Sequence, residues 1–458
     1  MKITLIYPPC VFAYKDYVVY SHCLGLRSLS SFLKKEAEHE VTFIDALMLG
    51  FDNIRPYANG FIAGLSMDEI VARVPPDTEL IGLSVPFSLL APIAHDIVDH
   101  IKARFPNVLA IMGGVYPSTQ PQLALTSRAD FILVGEGESA LREIADGRNS
   151  MEVQGVYARD SQGSKSFLPA RMIDDLDTIP FPDYSIPQME RYFTLSPRNF
   201  AGRTASLFTS RGCPFDCEFC SIHPVYGRKW RMRSAENVFS EIQYLVDRHA
   251  VSSLEFEDDN FTLERNRTAK ILEGIIHLNE KGANIGWRTP NGVRIDTLDE
   301  EIIKLIRKSN CTAITVAMEH GDREMLNIMN KELSLEKAFR VMELLIKHEI
   351  SNIILFLIVG YPGETQKCFQ NSLKYLKKIR SLGGRTSVIV NIAQAYPGTR
   401  LLARCRAEGY IKNDDFDNFL ERRNMTSSRH FVSLTTPDFD AQEVLRRKSV
   451  LEECFSSR

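Results

Sequence analysis

Three closely spaced cysteines lie near the middle of the chain. Cys213, Cys217 and Cys220 follow the pattern C-x3-C-x2-C, with a glycine before the first and a proline after it to bend the backbone. Zinc structural sites normally add a fourth Cys or His, whereas an iron–sulfur cluster held by three thiolates leaves one iron free for a substrate or cofactor. The spacing therefore favours an iron–sulfur cluster.

Two other interpretations fit the same residues. Zinc could bind the three cysteines together with His223 as its fourth ligand. Free cysteines also serve in many proteins as small buried hydrophobic side chains. Other features of the sequence are therefore needed to choose between an iron–sulfur cluster, a zinc site and buried structural cysteines.

Composition and charge exclude several classes of protein. The chain has 458 residues, of which 44% are hydrophobic and 25% charged, as in ordinary globular proteins of two or three domains. A net charge of −3 provides no basic field for nucleic acid. The sequence has no apolar run of membrane-spanning length, no signal peptide and no disulfide framework among its nine cysteines. We therefore expect a cytoplasmic protein with no membrane span and no nucleic-acid partner.

The first 150 residues alternate strand-like and helix-like patterns, which predicts a parallel α/β sheet. The predicted strands are Lys2–Tyr7, Val41–Ile44, Leu80–Val85, Val108–Met112 and Phe131–Val134, and the predicted helices include 24–33 and 93–105. Ligands bind such sheets at the carboxyl ends of the strands, so the loops that follow these strands are candidate binding loops.

Two of these loops are rich in glycine. Gly113 and Gly114 follow one predicted strand, where adjacent glycines would let a bulky ligand lie against bare backbone. Gly135 and Gly137 flank Glu136 after the next strand and open a predicted helix, whose N-terminal amides could meet polar ligand groups. Either loop alone could also be a plain tight turn.

The second half of the chain predicts another βα array. Residues 151–200 carry several prolines and little periodicity, which indicates a linker on the surface. Six predicted strands follow: Ala205–Thr209, Ser253–Glu257, Ile285–Thr289, Ala313–Met318, Ile353–Val359 and Val388–Ile392. Six βα units favour a partial barrel, in which chemistry gathers at the carboxyl ends of the strands. The cysteine loop follows the first of these strands.

Charged residues follow other strands of this array. Asp258 and Asp259 come after the second strand and Glu319 after the fourth. Such carboxylates could hold polar groups of a ligand, or they could be helix N-caps and solvated turn residues. Arg231 and Arg233 could bind a carboxylate, although arginines before a helix are common on protein surfaces. Acidic groups on several strand ends of one barrel favour a binding site.

The cysteine loop resembles the signature of the radical S-adenosylmethionine (SAM) superfamily, and Phe219 stands where that family has an aromatic residue before the third cysteine. The stretch Gly360-Tyr-Pro-Gly-Glu364 is similar to the turn that packs near the adenine of SAM in the family. The resemblance implies a 4Fe–4S cluster on the three cysteines. It implies SAM contacts at Phe219, Asp258, Asp259, Glu319, Gly360 and Pro362.

The glycine loops, placed upstream of the cysteine loop, resemble the cobalamin-binding domain of one large subfamily of these enzymes. The resemblance implies cobalamin contacts at Pro8, Ser84, Gly113, Gly114, Tyr116, Ser118, Gly135, Glu136 and Gly137.

The chain departs from the cobalamin-binding pattern at one motif. Many cobalamin-binding proteins carry Asp-x-His-x-x-Gly after the first strand, and its His ligates cobalt, whereas residues 8–14 here contain no His. The family's frequent His after the glycine pair is replaced by Tyr116, which stays protonated near neutral pH because the ordinary pKa of tyrosine is about 10. We therefore expect Tyr116 to pack or donate a hydrogen bond, without a protein His on the lower face of cobalamin.

The resemblance implies an α/β fold of four parts. These are a Rossmann-like cobalamin-binding domain at 1–150, a linker at 151–200, a partial (β/α)6 radical SAM barrel at 201–400 and a C-terminal extension at 401–458 that could close the substrate cavity. In this extension, 416–423 and 441–455 are predicted helices.

The implied activity is methylation of an unactivated carbon of a small-molecule or natural-product substrate through a 5′-deoxyadenosyl radical. An electron donor such as flavodoxin or ferredoxin would reduce the cluster. Two alternatives stay open: a radical SAM cyclase or rearrangement enzyme that uses cobalamin without net methylation, and a non-enzymatic metal-binding module. An electron-transfer module would need neither a glycine-rich α/β domain nor acidic strand ends.

Overall fold

The structure of the protein, a computed structural model, describes residues 1–12, 15, 23–36, 39–58, 60–159, 165–195, 202–411 and 432–456. These residues form two compact units. The first unit takes its described residues from 1–192 and 222–227, and the second from 193–221, 228–411 and 432–456.

The first unit is built on a seven-stranded sheet with a separate three-stranded sheet beside it. Its strands are β1 (Lys2–Tyr7), β2 (Cys10–Phe12), β3 (Glu40–Asp45), β4 (Ile54–Tyr57), β5 (Gly60–Ala63), β6 (Leu80–Ser84), β7 (Leu109–Gly113), β8 (Phe131–Leu133), β9 (Val156–Arg159) and β10 (Lys165–Phe167). The large sheet has the order β10-β9-β8-β7-β6-β1-β3, in which β1, β3, β6, β7 and β8 run parallel. The predicted parallel sheet is therefore confirmed.

Helices follow the parallel strands of this unit. They are α1 (Leu24–Glu36), α2 (Ala46–Leu49), α3 (Met67–Arg73), α4 (Ala91–Arg104), α5 (Val115–Thr119), α6 (Pro121–Ala124), α7 (Glu138–Ala145), α8 (Met189–Thr194), whose last two residues belong to the second unit, and α9 (His223–Tyr226). Helix α4 buries Ile93, Ile97 and Ile101, which recur at helical spacing and are each at most 1% exposed.

Two strands lie where the sequence predicts little regular structure. Strands β9 and β10 pair antiparallel with each other, and β9 also pairs antiparallel with β8. They extend the large sheet with residues 156–159 and 165–167. Because strands of three or four residues carry too few alternations to show a period, sequence patterning does not reveal them.

The second unit contains an open six-stranded parallel sheet of order β11-β14-β15-β16-β17-β18 and a two-stranded ribbon of β12 and β13. Its strands are β11 (Thr204–Leu207), β12 (Ser210–Arg211), β13 (Arg231–Met232), β14 (Ser253–Phe256), β15 (Gly286–Val293), β16 (Cys311–Glu319), β17 (Ile353–Val359) and β18 (Thr386–Ile392). All pairs in the six-stranded sheet are parallel, as the predicted partial barrel requires.

Helices connect the strands of the second unit. They are α10 (Ala235–His249), α11 (Arg265–Glu280), α12 (Glu300–Lys308), α13 (Arg323–Ile328), α14 (Leu335–Lys347), α15 (Gln366–Arg380), α16 (Arg400–Ala407) and α17 (Ala441–Phe455). Ser234 caps the first of them by accepting a hydrogen bond from the backbone N of Asn237, as predicted. The predicted helix at 416–423 lies outside the described residues.

Helix α17 packs along β18, an edge strand of the sheet. The Nζ of Lys448 donates to the carbonyl O of Val390 at 3.0 Å, which satisfies a backbone acceptor in this edge strand. In the part of the chain that the structure describes, no helix combines the length and apolar character needed to cross a membrane.

Candidate cluster and cofactor sites

The three cysteines of the predicted cluster lie on one loop that follows β12. Gly212 starts the loop with φ of +82°, a left-handed conformation that glycine adopts without steric cost. Cys213, Cys217 and Cys220 are half-buried free thiols, and the backbone N of Cys220 donates to the carbonyl O of Cys217 at 3.2 Å. Burial is the main cause of the raised pKa of the Cys213 and Cys217 thiols.

Neighbouring segments hold the backbone of the cysteine loop. The N of Glu218 donates to the carbonyl O of Met329 at 3.0 Å, and the O of Glu218 accepts from the N of Leu401 at 3.1 Å. The side-chain amide of Asn330 donates to the carbonyl O of Asp216 at 2.7 Å. The spacing of the thiols is therefore fixed from outside the loop as well as by its own turn.

A buried ion pair lies beside the loop. The Nζ of Lys331 is 2.8 Å from Oε1 of Glu319, and both residues are buried. The ammonium group of Lys331 lowers the pKa of the Cys217 thiol and so opposes the effect of burial. Asn330 and Glu332, on either side of this lysine, have φ of +51° and +50°. Non-glycine residues keep such conformations only where the surroundings hold them.

Arg294 supplies a second cation next to the cysteines. Its guanidinium lies 3.6 Å from the ring centre of Phe215, donates to the carbonyl O of Lys331 at 3.0 Å and makes two 3.0 Å contacts with the carboxylate of Asp296. Arg294 also lowers the pKa of the Cys213 thiol against the effect of burial. Burial keeps the pKa of the Cys213 and Cys217 thiols raised overall, and the two cations offset part of this effect, as they would for thiolates bound to a metal cluster.

Asp258, which follows β14, holds the segment that leads into the cysteine loop. It is buried, and its carboxylate accepts from the hydroxyls of Thr209 at 2.7 Å and Ser210 at 2.5 Å, and from the backbone N of Thr209 at 3.1 Å. The hydrogen bonds of Asp258 therefore hold Thr209 and Ser210, which lie just ahead of the cysteine loop.

Asp259 and Asn260 have few internal bonds by comparison. Burial, with the charge of Asp258 adding to it, raises the pKa of Asp259 to about 7, against a bond from the Gly212 backbone. The bond from Gly212 places this carboxyl at the start of the cysteine loop, where its charge raises the pKa of the Cys213 thiol. Asn260 is fully buried, and both polar atoms of its side chain have no partner among the described residues. A buried amide with an open donor and acceptor is suited to a polar ligand.

Glu319 and the turn at Gly360 come together through a histidine. Glu319, at the end of β16, has φ of +64° and follows a register irregularity in the sheet. The next residue, His320, lies with Nε2 3.2 Å from Oε1 of Glu364, and Oε2 of Glu364 accepts from the N of Gly360 at 2.7 Å. Pro362 lies within this turn.

Phe219 reaches the same turn from the cysteine loop. Its ring meets the ring of Tyr361 edge-on with 6.3 Å between centres. The hydroxyl of Tyr361 donates to Oε2 of Glu218 at 2.6 Å, and Arg404 donates to the same oxygen at 2.8 Å. The predicted SAM residues of the second unit thus belong to one connected set around the cysteines.

The two arginines before α10 differ in their contacts. Arg233 donates to Glu241 at 2.5 Å, to the carbonyl O of Phe208 at 3.0 Å and to Oδ1 of Asn237 at 2.7 Å, so its guanidinium is engaged within the protein. Arg231 is buried in the short strand β13.

Sequence reasoning missed Lys331 and Asn260. The lysine follows a helix in a polar stretch, where a charged residue is expected on the surface, and only the ion pair with Glu319 reveals its position. Asn260 directly follows the two predicted aspartates, and its position after a strand end could have identified it as a candidate binding residue.

In the first unit, the glycine pair ends β7 and opens α5. Gly114 has φ of +109°, and a Cβ there would lie 2.7 Å from the carbonyl O of Val85. Gly113 is different, because a Cβ on it would meet only Cβ of Leu133 at 3.7 Å. The structure therefore requires glycine at 114 for its own packing and leaves the backbone at 113 open to a ligand.

The polar side chains predicted near this edge bond within the unit. The hydroxyl of Tyr116, which is fully buried, lies 3.0 Å from Nε2 of His95. Oγ of Ser118 accepts from the N of Gly135 at 2.9 Å, and Oε2 of Glu136 accepts from the N of Ile173 at 2.9 Å. These groups shape the loops, and Tyr116 has the buried, hydrogen-bonded geometry expected for it.

The remaining predicted cobalamin residues mark the strand ends. Pro8 is buried after β1, Ser84 is half-buried at the end of β6, and Gly137 caps α7. Gly135 has φ of +86°, and a Cβ there would lie 3.0 Å from Cβ of Ala170. The open backbone at Gly113 is the feature of this edge that suits a large flat ligand.

A buried carboxyl lies after β3 in the same unit. Asp45 accepts from the N of Met48 at 2.8 Å and from the hydroxyl of Tyr192, and Sγ of Cys23 lies 3.0 Å from that hydroxyl. Burial raises the pKa of Asp45 to about 7, although its hydrogen bonds act in the opposite direction.

Two family models match the chain. The model of the radical SAM superfamily matches residues 207–376, and that of the B12 binding domain matches residues 16–145. The radical SAM match includes all the candidate cluster and SAM residues, and the B12 match includes all the candidate cobalamin residues except Pro8.

Several curated relatives match most of the chain. An uncharacterized methyltransferase of Pyrococcus horikoshii is 26% identical over 442 residues, which cover 94% of this chain and 89% of the relative. Cytidylyl-2-hydroxyethylphosphonate methyltransferase of Streptomyces wedmorensis is 26% identical over 458 residues, with 90% and 83% covered. An anaerobic magnesium-protoporphyrin IX monomethyl ester cyclase of Rubrivivax gelatinosus is 27% identical over 358 residues, with 76% and 60% covered.

A solved structure has the same fold. The radical SAM methyltransferase TsrM of Kitasatospora setae, determined with cobalamin and a [4Fe–4S] cluster bound, superposes with a TM-score of 0.70 at 17% identity, covering 90% of this chain and 79% of that one. This likeness confirms the predicted fold of a B12 binding domain followed by a radical SAM domain.

Proposed function

Because the chain belongs to the radical SAM enzymes that carry a B12 binding domain, we propose that it is a cobalamin-dependent methyltransferase acting on an unactivated carbon of a small molecule. The observation that carries the proposal is the presence of both family models in one chain, each over a unit with a fitting candidate site. When bound, the cluster and SAM would supply an electron and a 5′-deoxyadenosyl radical, and cobalamin would supply a methyl carrier.

The residues around the cysteine loop have separate roles in this proposal. Cys213, Cys217 and Cys220 would hold the cluster, and the cations of Lys331 and Arg294 would help to stabilise the thiolates of Cys213 and Cys217. The fourth position of such a cluster stays open for SAM.

SAM presents an amino group, a carboxylate and ribose hydroxyls to the protein. We assign the carboxylate to Lys331 and the ribose to Glu319, because this buried pair lies beside Cys217. Asp259 and the open amide of Asn260 are placed to receive the amino group. Asp258 instead positions the loop through Thr209 and Ser210.

The first unit would bind cobalamin mainly through backbone. Gly113 would lie against the corrin ring, and Gly135 and Gly137 would shape the neighbouring loop. Tyr116 is held by His95 and would not reach cobalt.

We also assign an electron donor and a compartment. The six cysteines outside the cluster loop are buried and dispersed among the described residues, so an external one-electron donor such as flavodoxin or ferredoxin would reduce the cluster. All nine cysteines are free thiols, which favours a reducing compartment such as the cytoplasm.

A cyclase or rearrangement enzyme is the second candidate, and the cyclase of Rubrivivax gelatinosus favours it. The products of SAM separate the two functions. Anaerobically reconstituted protein, incubated with SAM, a reductant and a metabolite extract of its source, should form 5′-deoxyadenosine and, only when cobalamin is present, S-adenosylhomocysteine as well. Formation of 5′-deoxyadenosine without S-adenosylhomocysteine would favour the cyclase.

A further inference from the structure

One buried carboxylate, that of Glu364, ties the Gly360–Glu364 turn to the strand end that carries Glu319. Glu364 is fully buried, and its two oxygens contact the N of Gly360 at 2.7 Å and Nε2 of His320 at 3.2 Å. His320 is 2% exposed and directly follows Glu319. The position of this carboxylate therefore sets the geometry between two segments assigned to SAM.

A cation from the C-terminal helix completes the contacts of this carboxylate. Arg447 of α17 is 1% exposed, lies with one guanidinium nitrogen 3.3 Å from Oε2 of Glu364 and donates to the backbone O of the same residue at 2.7 Å. A buried carboxylate needs such a partner, because an unpaired charge in the interior is costly. The guanidinium keeps its charge at every pH that a folded protein meets.

The same helix also packs against the other end of the turn. A Cβ on Gly360, whose φ is +74°, would lie 2.8 Å from Cγ1 of Val444, so α17 contacts the turn where its backbone is left-handed. Glu443 accepts from Nε of Arg447 at 2.9 Å, and Phe369 lies under the guanidinium at 5.4 Å. The arginine is thus held in a single position by its own helix and by α15.

We propose that Arg447 is a positioning residue for SAM: through Glu364 it sets the Gly360–Glu364 turn relative to Glu319, and the C-terminal helix thereby controls SAM affinity. This inference rests on the proposed function, because it takes the turn as part of the SAM site. It assigns α17 a role at the cofactor, where the sequence predicts only an extension that could close the substrate cavity.

The test measures the dissociation constant of SAM by anaerobic equilibrium dialysis on the full chain with a reconstituted cluster. Arg447→Met should weaken SAM binding by about tenfold or more with unchanged iron per chain, and Arg447→Lys should recover part of the loss. Arg446→Met is the matched control, because Arg446 also bonds Glu443 but is half exposed and does not contact Glu364. Its SAM affinity should stay at the wild-type value.

A double-mutant cycle keeps the proposal falsifiable if Arg447→Met folds poorly. Glu364→Gln removes the charge that needs a partner, so the double variant Glu364→Gln, Arg447→Met should fold and should bind SAM as weakly as Glu364→Gln alone. Wild-type affinity in a folded, iron-loaded Arg447→Met chain would overturn the proposal, and so would weaker SAM binding by the double variant than by Glu364→Gln alone. If the wild-type chain neither binds nor cleaves SAM, the proposed function itself fails, which is a different result.

Discussion

The two units prepare their candidate cofactor sites in different ways. Around the cysteine loop, charged side chains are buried with their partners, as in the pairs Lys331–Glu319 and Arg447–Glu364. In the first unit, the polar side chains near the glycine loops are already bonded internally, and Gly113 offers bare backbone. We therefore expect the proposed SAM site to depend on charge and the proposed cobalamin site to depend on shape. Substitutions should therefore act differently in the two units.

The largest effect is expected at the cluster. Replacing Cys217 by Ala should remove the 4Fe–4S cluster and reduce SAM cleavage to background, because two thiolates leave an iron without its ligand. Iron content and 5′-deoxyadenosine formation measure this. Cys311→Ala is the control, since Cys311 is buried in β16 and should not affect iron content. Cleavage by Cys217→Ala, or stoichiometric zinc in the anaerobically reconstituted protein, would contradict the assignment.

Charge dependence in the second unit should appear at Glu319. Glu319→Gln should weaken SAM binding by about ten- to a hundredfold, because a charge-assisted contact contributes about 1.5 to 3 kcal/mol. Equilibrium dialysis with SAM measures this, with the exposed Glu336→Gln as control.

The variant Asp258→Asn tests whether Asp258 stabilises the fold of the second unit and does not bind SAM. Asp258 accepts three hydrogen bonds from Thr209 and Ser210, so this change should mainly lower the free energy of unfolding. For Glu319, an unchanged SAM affinity in Glu319→Gln would contradict the proposed charge dependence of the second unit.

Shape dependence in the first unit can be tested at the adjacent glycines. Gly113→Ala should fold normally, because its Cβ meets only one atom at 3.7 Å, but it should lower cobalamin affinity by about tenfold if the corrin lies on this backbone. Gly114→Ala should cost about 1 to 3 kcal/mol of stability through backbone strain and contact with Val85. Spectroscopic titration with cobalamin and chemical denaturation measure the two effects. Normal cobalamin binding by Gly113→Ala would contradict the proposed contact.

The smallest effect is the pH dependence of stability in the first unit, where two carboxyl groups act with opposite sign. Burial raises the pKa of Asp45 to about 7, above the ordinary 3.8, so the folded state retains a proton that the unfolded state loses, and stability falls as pH rises from about 4 to 7. Burial would also raise the pKa of Asp183, but hydrogen bonds from Lys34, Ser185 and Ser30 outweigh it and lower the pKa to about 2. Its stabilisation is present above about pH 4 and is lost as pH falls towards 2.

Denaturation curves across this pH range measure both terms. Asp45→Asn should gain stability relative to wild type as pH rises from 4 to 7, because Asn imitates the protonated acid. Asp183→Asn should be less stable than wild type at pH 7 and should converge with it near pH 2. A pH-independent difference in either variant would contradict the corresponding pKa shift.

Sequence patterning predicts the elements that carry a strong local signal. Strand β17 occupies Ile353–Val359 and α17 occupies Ala441–Phe455, the same residues that apolar runs and helical periodicity indicate. Strands β9 and β10 escape prediction because they are short, and because β9 joins the sheet by pairing with β8, more than 20 residues earlier in the chain. The cap at Ser234 is predictable, because the signal lies within one turn of the helix.

The candidate site residues also fall into those that local sequence reveals and those that it does not. The cysteines and the acidic strand ends can be located from spacing and strand order. Lys331 and Arg447 cannot, because each acquires its role from a partner far along the chain or from burial that local sequence does not encode. Similarly, the difference between Gly113 and Gly114 depends on the neighbouring carbonyl of Val85.

In the proposed function, one chain uses a cluster-bound SAM site and a cobalamin site to transfer a methyl group to carbon. The most direct test supplies SAM with a trideuterated methyl group to the reconstituted protein, with and without cobalamin, and analyses the products by mass spectrometry. We expect a product that carries the intact trideuteromethyl group on carbon only when cobalamin is present. A product formed with 5′-deoxyadenosine but without deuterium, or methylation that persists without cobalamin, would contradict it.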